Sequence, residues 1–464
     1  LGKTNIIVFF GGKQVMKKLL LFCLAAMLVL AFTLPAAAKT TLTASGDMMV
    51  GGFYLSNPMA NSDTAVAKTD ARMYMDGHLK FKLQTNPKLW FELGLGFMDK
   101  DWGVGTTGYG RYDDSGFNQT AAGWLDMFNT VEVEQASILL LVYKGWAMFG
   151  RGKDAPSAAY GPLLKSNVGA NINVDSGDGL YDRIMVNQAI GPWNLFFLYQ
   201  KIGEADFGIA TVDTDWDLYG TDITYTWKTG KFTGSFYYSR NNWTWPHGRA
   251  DDNGFTLTGT GYQGFGDFHF GARFKYGFGT GSGGIPGAPD VETKGWNAMA
   301  TAEYIKGPYK IGVQGVIFNG QDPLVSSAVE DQTVGGIDQD YSGLYAAFGH
   351  RDGLLYPGNE FLNDTTITGI TVTDFGLQVF LGFAEYKMMD NLWLRAALGF
   401  LRWDSTPAGT PTNIGTEVDL GANYKIMKGL NLGVHFGYFI PGDWFVDPNK
   451  GNHIHFDWEL TMKF

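Results

Sequence analysis

Of 464 residues only one, Cys23, is a cysteine. Beyond it, disulfide frameworks, thiolate metal centres, cysteine nucleophiles and covalent haem attachment through C-x-x-C-H are all excluded. Charge is scarce too: Asp, Glu, Lys and Arg make up 17% of the chain, against roughly 25% in soluble domains. Long apolar runs are missing after residue 38. The longest, Ile138 to Tyr143, has six residues, where a membrane helix needs about 20. Crossing a bilayer with helices is therefore excluded in that part of the chain. The 64 glycines follow no three-residue period and prolines number only 16, so a collagen-like rod is excluded. No G-x-S-x-G or H-E-x-x-H stretch occurs, which leaves hydrolase and zinc-protease readings without a motif.

What the chain does have is aromatic residues, at 15%, within an ordinary 45% hydrophobic fraction. Mean hydropathy is −0.09. Many rings, little charge and an average near zero imply apolar residues spread in alternation rather than gathered in blocks.

The N-terminal stretch reads as an export signal. Met16-Lys17-Lys18 is a short basic region, Leu19 to Leu34 an apolar core, and Ala36-Ala37-Ala38 a small-residue cleavage site. The expectation is an over-extended gene start over residues 1–15, a signal peptide over 16–38 and a single domain over 39–464. Without the four lysines of the first 38 residues, 31 basic residues face 46 acidic ones, a net charge of −15. Nucleic acid is excluded as a partner on that balance.

From there the sequence alternates. At the C-terminal end His453, His455, Asp457, Glu459, Thr461 and Lys463 interleave with Ile454, Phe456, Trp458, Leu460, Met462 and Phe464. Side chains of a strand point to opposite faces in turn, so this strand has one wet and one apolar face. The same pattern recurs in ARMYMDGHLKFKLQ, DFHFGARFKY and LNLGVHFGY. Segments of about ten residues with this alternation are the signature of a transmembrane β-barrel.

The connections separate into two kinds. Eight are tight: Thr85-Asn86-Pro87-Lys88, Tyr143-Lys144-Gly145, Ile190-Gly191-Pro192, Lys228-Thr229-Gly230-Lys231, Gln263-Gly264-Phe265-Gly266, Lys306-Gly307-Pro308, Met388-Met389-Asp390-Asn391 and Met427-Lys428-Gly429. They carry the residues of hairpin turns. Nine others are longer and variable, the longest over residues 319–372. The reading is an all-β, antiparallel up-and-down barrel of 18 strands. Its short turns are periplasmic and its long loops extracellular, in the outer membrane of a Gram-negative bacterium. Trp90, Trp146, Trp193, Trp227, Tyr304, Tyr309, Trp393 and Tyr424 lie close to tight turns and are expected to form the periplasmic aromatic girdle.

A barrel in lipid has to close, so the last strand should pair with the first, near Thr41 to Tyr54. The final strand resembles that of outer-membrane barrels, with Phe464 terminal and Met462, Leu460, Trp458 and Phe456 at every second position before it. The resemblance implies that these residues are the signal read by the barrel assembly machinery.

In a barrel of this size the lumen is an aqueous channel, and the polar half of each strand should line it. The candidate pore-lining residues in the first third are Arg72, His78, Lys80, Lys82 and Glu92. In the middle they are Asp222, Arg273, Lys275 and Glu303. Toward the end they are Arg395, Glu417, Asp419, His435, His453, His455, Asp457 and Glu459. The loop over 152–179 carries little charge and is the expected constriction, with Lys153, Asp154 and Lys165 nearest the narrowest point. No residue is assigned to catalysis, a cofactor or a metal.

Glu134-Gln135-Ala136, Phe149-Gly150-Arg151 and Tyr181-Asp182 resemble a spaced pattern of eighteen-stranded alginate-export-type barrels and related substrate-specific porins. Gly152 and Arg183 stand where that pattern has Gln and Gly. The resemblance implies the strand number and the porin class. The expected function is passive diffusion of small hydrophilic solutes or ions through the outer membrane, leaning toward cations because the chain is acidic. The expected surroundings are outer-membrane lipid, and the expected state is a monomer or homotrimer. A sheath around an electron-transfer cytochrome and an alginate-export-type polysaccharide channel are the alternatives.

Overall fold

The computed structural model describes residues 40–56, 69–102, 131–152, 181–205, 214–245, 248–282, 290–319, 376–406, 409–444 and 452–464. Eighteen strands follow one another along the chain. The first six are β1 (Thr41–Ser56), β2 (Thr69–Asn86), β3 (Leu89–Trp102), β4 (Val131–Val142), β5 (Gly145–Gly152) and β6 (Tyr181–Ile190). Next come β7 (Trp193–Ala205), β8 (Thr214–Trp227), β9 (Gly230–Trp245), β10 (Gly248–Phe265), β11 (Phe268–Ser282) and β12 (Asp290–Lys306). The last six are β13 (Tyr309–Phe318), β14 (Leu377–Met389), β15 (Leu392–Trp403), β16 (Asn413–Met427), β17 (Leu430–Pro441) and β18 (His453–Lys463).

Each strand pairs antiparallel with its neighbours in sequence, and β18 pairs back onto β1. The sheet thus closes with no free edge, which is what a bilayer demands of a β-structure, since lipid cannot satisfy exposed backbone groups. At the seam Asp47 lies opposite Lys463 and Gly51 opposite Glu459. The backbone of Phe464 exchanges two 3.0 Å hydrogen bonds with that of Gly46.

All eight tight turns fall where the Gly, Pro and Asn signals place them. Gly191, Gly266, Gly307 and Gly429 take positive φ there, the conformation for which glycine carries no Cβ penalty. One turn breaks this rule. Tyr143, with φ of 52°, is the one non-glycine residue of positive φ among the described residues, and its side chain is exposed. Holding an L-residue in this region costs about 1–2 kcal/mol. Tyr143→Gly should therefore raise the unfolding temperature, worth up to about 1 kcal/mol after the added chain entropy. The midpoint at which the folded band is lost on heating in detergent checks this.

The alternation seen in the sequence sorts the two faces. On β16, Glu417 and Asp419 are buried while Val418 and Leu420 are exposed. Inward side chains from all strands converge on the interior; outward ones face nothing but the surrounding phase. The outward set includes Phe197, Ile223, Phe232, Phe274, Val313, Phe400 and Leu420, all large, apolar and exposed. An apolar band of this kind around a closed barrel is a lipid-facing surface.

Rings gather at both ends of that band. Near the tight turns Trp193 contacts Tyr225, Tyr225 contacts Trp227, Phe268 contacts Tyr304, and Tyr309 stacks on Tyr386. A second line, Tyr199–Tyr219–Tyr238–Phe255–Phe278, runs across five strands toward the opposite rim. The expected periplasmic girdle needs a correction. Trp193, Trp227, Tyr304, Tyr309 and Tyr424 face outward, but Trp90, Trp146 and Trp393 face the interior. Trp90 hydrogen-bonds Glu92 at 3.1 Å and lies under Lys82. Trp146 packs on Phe196, and Trp393 lies below Lys387. Nearness to a turn sets the height of a side chain; only strand parity sets its face.

Candidate functional site: the inner wall of the barrel

The inner wall is built from every second residue of eighteen strands. A charged stretch crosses β12 to β15. The Lys310 Nζ lies 3.3 Å from Glu303 Oε1 and 3.4 Å from Glu385 Oε1. Glu385 in turn lies 3.8 Å from Arg395 Nε. Each sits on the inward parity of its strand, and register places Lys310 opposite Glu385 and Glu385 opposite Arg395. Acid and base alternate, so no buried charge is left without a counter-charge, as a low-dielectric wall requires.

Further round, β16, β17 and β18 carry acids and imidazoles. Asp457 hydrogen-bonds one ring and neighbours a second: His435 Nδ1 lies 2.8 Å from Oδ1, and His455 Nε2 lies 3.0 Å from Oδ2. Glu417 and Asp419 share this face, two residues apart on β16. All five are buried.

Across the seam β2 to β4 continue the wall. Lys80 Nζ lies 3.1 Å from Glu92 Oε2, and Gln135 Nε2 donates to the same oxygen at 3.0 Å. His78 Nδ1 lies 3.2 Å from Asp47 Oδ2. On β8 and β9 the Tyr237 hydroxyl donates to Asp222 Oδ1 at 2.9 Å. Tyr237 lies flat against the wall because Gly220 opposite it has no Cβ; one built there would stand 2.2 Å from the ring. On β11, Arg273 and Lys275 lie opposite Thr260 and Thr258 of β10.

Two regions of the inner wall are apolar, which corrects the expectation of a polar lining on every strand. Met148, Met185, Phe196, Leu198 and Tyr237 form a buried cluster across β5 to β9. Val379, Leu401, Trp403 and Ile414 are buried on β14 to β16, and Trp444 meets Trp403 edge-on at 5.4 Å. Outside the membrane-spanning strands, the turn residue Asp390 receives a 2.9 Å hydrogen bond from Lys387. That bond, then the ammonium charge, holds its carboxyl below the usual carboxylate range.

The residues singled out in the sequence are placed as follows. His78, Lys80, Lys82, Glu92, Asp222, Arg273, Lys275, Glu303, Arg395, Glu417, Asp419, His435, His455, Asp457 and Glu459 all lie on inward parity. Arg72 lies opposite Phe53, and His453 opposite Phe439. Lys153, Asp154 and Lys165 lie outside the described residues. Sequence reasoning missed Lys310, Glu385 and Asp47. Lys310 shares parity with Gln314 and was findable. Glu385 was not, because its inward neighbours on β14 are Leu381 and Phe383, so polarity does not alternate there. Among the described residues no group of His, Asp and Glu is arranged to hold a metal ion.

A closed antiparallel barrel of eighteen strands, apolar outside and charged within, is an outer-membrane β-barrel of porin architecture, the form taken by proteins that cross the Gram-negative outer membrane as strands. Solved structures align with this chain. A BenF-like porin from Pseudomonas fluorescens Pf-5 aligns over 91% of this chain and 98% of its own, at 12% identity and a TM-score of 0.51. OccK5 (OpdH) of Pseudomonas aeruginosa aligns over 91% and 98%, at 11% identity and 0.49. A loop-deleted OmpT, an outer membrane protein of Vibrio cholerae, aligns over 92% and 99%, at 12% and 0.41. At 12% identity the likeness to the BenF-like porin is one of fold. No protein-family model and no curated protein matches the chain.

Proposed function

We propose that the barrel is a passive channel for small hydrophilic solutes, with a leaning toward cations. The observation that carries this is the contrast between its two faces. Buried charges of both signs line the inside, and bulky apolar side chains cover the outside. A wall of fixed charge around an aqueous lumen biases which ions enter. The leaning rests on the acidic excess of the chain and on the concentration of acids along β16 to β18. These inward residues act here as the lining. No bond is made or broken; transport is diffusion down a gradient. On the same reading, residues 16–38 are the export leader, and Phe456, Trp458, Leu460, Met462 and Phe464 are the segment offered to the assembly machinery.

The test is the reversal potential of the purified protein in a planar bilayer under a KCl gradient. Large open-channel steps with a cation-selective potential are expected. Anion selectivity would put the balance with Lys80, Lys82, Arg273 and Lys275 and revive the polyanion channel. A silent bilayer would end the channel reading.

A further inference from the structure

Seven histidines occur in the whole chain, and two of them meet on one carboxylate of the inner wall. His435 on β17 and His455 on β18 take the two oxygens of Asp457, at 2.8 and 3.0 Å. The side chains of all three are under a tenth exposed. Register holds the group in place, since His435 lies directly opposite Asp457, and His455 precedes Asp457 by two residues on the same face.

What surrounds the group is mostly acidic. On β18 itself Glu459 follows on the same face. From β16 come Glu417 and Asp419, and beyond them on β15 lies Arg395, which is paired to Glu385. From β1 the residues opposite Asp457 and Glu459 are Phe53 and Gly51, which carry no charge; the next inward acid there is Asp47, facing His78 of β2. Four acids, Glu417, Asp419, Asp457 and Glu459, thus share the face with the two rings, and a proton on each ring adds two positive charges to it.

We propose that His435, Asp457 and His455 are the specificity-determining element of the channel, so that proton uptake by the two rings lowers its preference for cations. This rests on the channel reading above. Imidazole is the side chain that ordinarily changes charge between about pH 5 and 8. Fixed charge in a channel wall biases which ions enter. The sign follows directly: positive charge added to this wall on acidification lowers cation selectivity as pH falls.

The experiment measures reversal potentials of the wild-type channel under one KCl gradient at pH 8 and at pH 5. It repeats them for His435→Gln, for His455→Gln and for the double variant. The wild-type cation-to-anion permeability ratio should fall about threefold on acidification. Each single variant should lose part of that response, and the double variant most of it. Conducting wild-type channels whose selectivity is the same at both pH values would overturn the inference and leave the channel reading standing, without recourse to any variant. A full response surviving in the double variant, or one abolished instead by His78→Gln, would also overturn it. Absence of conductance at either pH would overturn both.

Discussion

A chain carrying Gly46→Val is expected not to close into a barrel. Gly46 sits at the seam, bonded through its backbone to Phe464. A Cβ built on it would stand 2.6 Å from the carbonyl oxygen of His78, 2.8 Å from the terminal ring and 3.1 Å from Leu79. The ring could swing away, but the carbonyl belongs to the β1–β2 ladder and cannot move without breaking it. A β1–β2 ladder forced open leaves unpaired N–H and C=O groups, each costing several kcal/mol. A few such groups together reach the margin of about 5–15 kcal/mol by which folded proteins survive. The readout is the heat-modifiable folded band of membrane extracts, which should vanish. Gly382→Val on β14 is the control, because a Cβ there meets nothing within 4 Å and the variant should fold. Normal folding of Gly46→Val would show that the β1–β2 ladder tolerates more than its geometry allows.

The second large effect is expected at Lys310. Its ammonium is the counter-charge shared by Glu303, whose side chain is 0% exposed, and by Glu385, at 10%. Lys310→Met removes the cation, leaves both carboxylates in the wall, and keeps most of the volume over Phe383. Breaking a buried pair by deleting one partner costs about 3–5 kcal/mol, chiefly the desolvation of the charge left behind. Glu385 retains Arg395 at 3.8 Å, so Glu303 should bear most of the loss. Unfolding in urea, followed by tryptophan fluorescence in detergent micelles, measures it. The double variant Lys310→Met with Glu303→Gln should regain much of the stability, because the buried charge that lost Lys310 is gone. If the single variant is as stable as the wild type, the ion pairs are surface-like and the wall is wetter than its burial implies.

The inward residues differ in how readable they were. On β2, β11, β16 and β18 polar and apolar residues alternate strictly, so parity alone put Lys80, Arg273, Asp419 and Asp457 on one face. On β14 it failed: Val379, Leu381 and Phe383 point inward while Phe380, Ala384 and Tyr386 point outward. With apolar residues on both faces the period of two is present in the backbone but silent in polarity. The same silence hid the buried cluster around Met148 and Phe196. It also let Trp90, Trp146 and Trp393 pass as girdle residues. Bulges add to this: at Leu401 and Arg402 the register of β15 on β16 shifts, and Ile414 is buried beside Gly415.

What the sequence by itself determined was therefore whatever depends on near neighbours: the strands, the turns, the number of crossings and the face of each alternating residue. These follow from a repeat of two residues and from the conformations that Gly, Pro and Asn permit, and both are local. Which charges meet was decided only by the closed sheet. Lys310 reaches Glu385 across 75 positions of sequence, and His435 reaches Asp457 across 22. Such meetings depend on register, and register is set jointly by all eighteen ladders once the barrel has shut.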